Sequence, residues 1–150
     1  MANVLSSPIM NSLEFTVLWT DADGMVQLAV KAAGSAHATY HETYLYPDSL
    51  EAFAAGLKAF PRAAGAEVVL ECGSKDPKWH DYLRMRVFLL RPTGHSALEL
   101  ESEIRGDPTV RAEIHFFIPG MPADFNRMGS ELIGWLADTS APLRFEWKND

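Results

Sequence analysis

Glu99, Glu101, Glu113 and His115 lie in two neighbouring runs of alternating polarity, SALELESEIR and TVRAEIHFFI. A carboxylate beside an imidazole can serve general acid–base catalysis or hold a metal ion. The same residues also suit the solvated side of an open antiparallel sheet, which is normally polar. Nothing in the sequence implies a cleft around them. The solvated face is the expected arrangement, and no catalytic residue, metal ligand or cofactor is assigned.

Other reactive side chains offer less. His37 and His41 share one face of HATYHETYLY, about 13 Å apart at ~3.3 Å rise per residue, too far to share a metal. They read as surface or edge histidines. His80 and Asp81 can pair without needing a function. Cys72 is the one cysteine and reads as a small buried hydrophobe. Asp21-Ala22-Asp23-Gly24 looks faintly like a calcium loop. Its glycine comes too early, and Met25 stands where an oxygen ligand belongs. No GxSxG, phosphate-loop, GxGxxG or HExxH motif occurs. Trp79, in the polar connection GSKDPKWHD, either anchors a partner or folds back over a sheet edge.

The elements that must position these residues are mostly strands. LEFTVLWT and MVQLAVKA flank DADG, a hairpin signal because glycine supplies the positive φ of a tight turn. HATYHETYLY leads into a helix in which Leu50, Phe53, Leu57 and Phe60 share a face. Asp48 and Glu51 have capping-box spacing, with Asp48 as N-cap, and Pro61 stops the helix. AEVVLEC, the run from Leu83 to Leu90, SALELESEIR and TVRAEIHFFI follow as strands. Pro122 opens a second helix with Phe125, Met128, Leu132 and Leu136 as its stripe. Gly129 and Gly134 each weaken it by roughly 1 kcal/mol relative to alanine. LRFEWK closes the chain. The order βββ-α-ββββ-α-β predicts an α+β fold: a largely antiparallel sheet of seven to eight strands with two helices over one face. One domain over residues 1–150 is expected, with 1–11 disordered. No internal repeat is found.

Parity predicts a register for LRMRVFLLRPTGHSALELESEIR. Leu83, Met85, Val87, Leu98, Leu100 and Ile104 share the buried face only if an even number of residues separates the paired ends. Arg91 opposite Ser96 satisfies this, placing Arg84 opposite Glu103, Arg86 opposite Glu101 and Phe88 opposite Glu99. The next hairpin then sets Glu103 beside Arg111, Glu101 beside Glu113 and Glu99 beside His115. Each opposite-charge pair contributes only about 0.2–1 kcal/mol, so the ladder specifies register more than it stabilises.

With 150 residues, 47% hydrophobic content and 22% charged, the composition is that of an ordinary globular protein. The net charge of −7 works against nucleic acid and favours a basic protein partner. No apolar run approaches the ~20 residues that span a bilayer. MANVLSSPIMNS has neither a basic n-region nor an apolar h-region, so a cytoplasmic protein is expected.

From about Tyr40 to Leu136 the chain resembles the WapI-like bacterial immunity proteins and related small domains of unknown function. The likeness lies in LEAFAAGLKAF, WHDYLRMRVFL, ALELESEIR, VRAEIHFF and the closing ELIGWL. It is one of pattern and order, and no functional residue is carried over. The resemblance implies a non-catalytic binding protein that neutralises a cognate toxin. The candidate partner surface is Arg84, Arg86, Phe88, Glu99, Glu101, Glu103, Arg111, Glu113, His115 and Phe117, with Trp79 in its loop. A small enzyme using His115 and a glutamate, or a homodimeric assembly domain, is the alternative.

Overall fold

A computed structural model of the chain describes residues 10–149. Alternating runs become β1 (Met10–Thr20), β2 (Val26–Ala33), β3 (Ala38–Leu45), β4 (Glu67–Gly73), β5 (Asp81–Leu89), β6 (Ser96–Ile104), β7 (Ala112–Gly120) and β8 (Leu143–Lys148). The helices are α1 (Pro47–Lys58) and α2 (Pro122–Leu136). The fold is α+β and every strand pairing is antiparallel, in the expected order.

The strands do not form one sheet. They divide into two four-stranded sheets, β3-β2-β1-β8 and β4-β5-β6-β7. Eight strands side by side would be about 38 Å wide, and two helices of ~10 Å diameter would leave much of that face wet. Divided, the sheets bury their apolar faces in one core. Leu13, Phe15, Leu28 and Val30 come from the first sheet, Leu83, Met85, Leu98 and Leu100 from the second, and Phe53, Leu57, Phe125 and Leu132 from the helices.

No sequence repeat is visible, yet the sheets share a topology. β4, β5, β6 and β7 are neighbours in chain order and lead into α2. β8, β1, β2 and β3 are likewise neighbours in that spatial order and lead into α1. β8 thus holds beside β1 the place that β4 holds beside β5.

Several local expectations are corrected. Met10 and Asn11, expected in a disordered leader, belong to β1 and pair with Lys148 and Trp147; residues 1–9 of that leader lie outside the described residues. The N-cap of α1 is Tyr46, without a side-chain cap bond, because Pro47 with its fixed φ takes the first turn and Asp48 falls inside it. The Asp21–Gly24 segment is a turn, as expected. Asp21 Oδ1 accepts the backbone N–H groups of Asp23 and Met25, each at 2.9 Å, and Gly24 has φ +92°.

Both hairpins around β6 keep the expected buried face but shift by two residues. Leu89, not Arg91, opposes Ser96, so Arg84 faces Glu101, Arg86 faces Glu99 and Phe88 faces Ala97. The cause is the turn. Leu90 and Arg91 both donate to the His95 carbonyl, at 2.7 and 3.2 Å, so two residues oppose one. Gly94 closes that turn at φ +101°. In the next hairpin Asp107 forms its own turn with Val110 and lengthens the connection. His115 therefore faces Glu101, Glu113 faces Glu103, and Phe117 faces Glu99.

The two helices pack on each other through Gly129, where an added Cβ would lie 2.6 Å from Ala54 O and Lys58 N of α1. α1 runs beside β4 and α2 beside β8.

Candidate functional site

The outer face of the second sheet gathers most of the sequence-predicted residues into cross-strand rows. One row reads Val69, Arg86, Glu99, Phe117, and the next Glu71, Arg84, Glu101, His115. Glu99 is the hub of both. Its Oε1 accepts Arg86 Nε at 2.6 Å and Arg84 at 3.2 Å, and its Oε2 meets His115 Nε2 at 2.7 Å. Burial works against the Glu99 charge, but hydrogen bonds from Arg86 and His115 and the charges of Arg86 and Arg84 outweigh it. Its carboxyl is held below the ordinary range. Glu101 bonds Arg84 at 3.4 Å and Lys75 at 3.3 Å. The guanidinium of Arg86 also covers the Phe88 ring, 3.9 Å from its centroid.

Ligand atoms of Glu99, Glu101 and His115 lie within 4.8 Å of one another. They suit a cation poorly. Both Glu99 oxygens are already bonded, and a cation there would sit against two guanidinium groups. The same commitments leave no free base for proton transfer at Glu99. Glu113, expected in this corner, is elsewhere.

Glu113 lies instead with Trp79, Glu103 and Arg111 around a groove of about 440 Å³ at the end of β5, β6 and β7. Arg111 was expected in the ladder opposite Glu103. It precedes β7 in the connecting loop and makes no ion pair among the described residues, nor does Glu113. Glu103 bonds Arg105 at 3.2 Å. Trp79 does not fold back: it is 55% exposed.

Arg105 holds the Trp79 loop in shape. Its guanidinium donates to the carbonyls of Ser74 (2.8 Å), Lys75 (3.3 Å), Asp76 (3.3 Å) and Trp79 (3.2 Å). Arginine's rigid fork suits such a cluster of acceptors, which lysine cannot span. Sequence reading passed over Arg105, since one arginine after a strand carries no signal of carbonyls brought near from earlier in the chain. Arg105→Gln is expected to release the loop while leaving the sheet folded, so that trypsin cleaves after Lys75 and Lys78 at least tenfold faster. An unchanged cleavage rate would remove the staple.

A second cluster escaped sequence reading altogether. His41, expected at a surface or edge, is completely buried between the sheets. Its Nδ1 pairs with Ser102 Oγ at 2.7 Å and its Nε2 with Asp81 Oδ2 at 2.8 Å. His, Ser and Asp in contact are the parts of a nucleophilic triad. Here Ser102 is itself buried, so no substrate reaches its hydroxyl. Burial opposes the Asp81 charge, but hydrogen bonding from His41 and the charges of His41 and Arg105 outweigh it and keep that carboxyl below its usual range. Cys72 is buried as expected, its thiol pushed up to about 12 by burial and then by the Asp81 charge. A thiol so rarely ionised is a poor nucleophile at neutral pH.

The expected surface is therefore two surfaces: a ladder whose charges are internally paired, and a groove whose Trp79, Arg111 and Glu113 are not. Both belong to an α+β protein of two antiparallel sheets and a helix pair, in which no described helix is long and apolar enough to cross a membrane. No protein-family model, curated protein or solved structure matches the chain.

Proposed function

We propose that this chain is a non-catalytic binding protein that engages another protein through the Trp79 groove and the adjoining β7 side of the charged face. One observation carries the reading: the groups suited to chemistry are internally bonded or buried, whereas Trp79 stands half exposed beside unpaired Arg111 and Glu113. Exposed tryptophan is characteristic of the few side chains that dominate an interface, and free charges at its rim confer orientation and specificity.

The net charge of −7 favours a basic partner. A bacterial toxin neutralised in the cytoplasm, as for the WapI-like immunity proteins that the strand pattern resembles, is the specific form we propose. Capture on the immobilised chain, followed by titration calorimetry with the purified partner, tests the reading. A stoichiometric complex without turnover is expected, weakened at least tenfold by Trp79→Ala and by Glu113→Arg. A partner whose affinity neither substitution changes binds elsewhere, and the site is then wrong.

A further inference from the structure

We propose that β7 receives an extended strand of the partner, added edge-on to the second sheet and entering from the Trp79 groove; this rests on the protein-binding reading above. Among the described residues β7 pairs with β6 alone. By contrast β4 is flanked by α1 and β8 by α2, while β3 lies across β4, β5 and β6 of the second sheet.

The direction of the β7 backbone follows from one carbonyl. Pro119 O points away from β6, accepting Trp147 Nε1 at 2.8 Å and Asn11 Nδ2 at 3.5 Å. In an antiparallel pair every second residue directs both its N–H and C=O to the same side. Glu113, His115 and Phe117 therefore aim their backbone groups outward too, and no strand accepts them among the described residues. Trp147 and Asn11 close the far end of this edge. Its near end opens into the groove, where Glu113 is part of the lining.

Such an edge templates further pairing. β7 carries little of the usual protection: Pro119 sits at the already closed end, and Glu113 is the strand's only charged carboxylate. His115 and Phe117 are each about half exposed on the outer face. The chemistry of the occupant follows from the side chains that an added strand would meet. A basic residue fits opposite unpaired Glu113, and an apolar one fits opposite Phe117. Side chains on one face recur every second residue, so these two stand four positions apart in the incoming segment.

Panning displayed random dodecapeptides against the full chain tests this. The expected consensus has a basic and an apolar residue four positions apart. Synthetic consensus peptides should bind at least tenfold more weakly when N-methylated at the amides facing β7, and unchanged when methylated at the alternate ones. That comparison leaves the protein untouched. His115→Pro, which removes one outward N–H, should cause a comparable loss. Absence of a consensus, or indifference to which amides are methylated, overturns strand addition, as does sedimentation showing β7 occupied by a second copy. If a partner is nonetheless captured in a Trp79-dependent way, the binding reading survives and only the edge is rejected.

Discussion

His41→Ala is expected to lower the free energy of unfolding by about 3 kcal/mol, the scale for removing one partner from a buried, charge-assisted hydrogen-bonded group. The imidazole bridges β3 of one sheet to β5 and β6 of the other. Its loss strands the Ser102 hydroxyl in the core and Asp81 at the core's margin, and leaves a cavity besides. Ser102→Ala keeps the Asp81 contact but leaves His41 Nδ1 unpaired in the core, and should cost about 2 kcal/mol. Urea unfolding with an unchanged m-value measures both. A His41→Ala variant within about 0.5 kcal/mol of the parent, the range of an ordinary surface substitution, would dispose of the inter-sheet bridge.

The acid limb follows from Asp81. Its pKa is lower in the folded chain than in the unfolded one, so the unfolded chain binds the proton more readily. The stability it contributes is complete above the unfolded value of about 3.9 and is lost as pH falls through the depressed folded value. Glu99, depressed for a similar reason, adds to the same limb. Asp81→Asn should flatten stability against pH in that acidic window.

Gly129→Ala and Gly134→Ala, in one helix, are expected to act with opposite signs. Alanine gains about 1 kcal/mol of helix propensity at either position. At Gly134 nothing lies within 4 Å of the added methyl, so the gain should appear as stabilisation. At Gly129 the methyl meets α1 backbone at 2.6 Å and Leu57 Cβ at 2.9 Å. Backbone cannot turn aside as a side chain can, so the helices must move apart along the whole crossing. A net loss of about 2 kcal/mol is expected, in the range of overpacked cores. Thermal unfolding of the two variants checks the pair, and equal shifts would refute close packing at Gly129.

These glycines mark where sequence legibility stops. Period and punctuation revealed every strand and both helices, because alternation and helical stripes are local consequences of burying one face. Parity likewise identified which face of the β5–β6 hairpin is buried. The two-residue shift was not legible, since shifts by two preserve parity and are decided by turn geometry at His95 and Gly94. Within the candidate site, the contact of Glu99 with Arg84, Arg86 and His115 was nearly in reach. The separation of Glu113 into the groove depended on the same turns. His41 was out of reach. Its alternation with Tyr40 and Glu42 says that it faces away from them, and only the second sheet, packed against it, makes that direction an interior.

The chain is written one strand out of phase with its own architecture: the strand beside β1 comes last in the sequence. Cut between α1 and β4, the molecule would not yield two equal halves. The leading piece would keep β1 with one flank bare, its Leu13 deprived of Phe145 across the ladder, and the trailing piece would carry an orphan strand. Circular permutation that moves Leu143–Lys148 ahead of Met10 would bring sequence and space into phase, with new ends in the exposed stretch after α2. In the native order, each half holds a piece of the other's sheet or lacks a piece of its own, which ties β1 and β8 together without a covalent link.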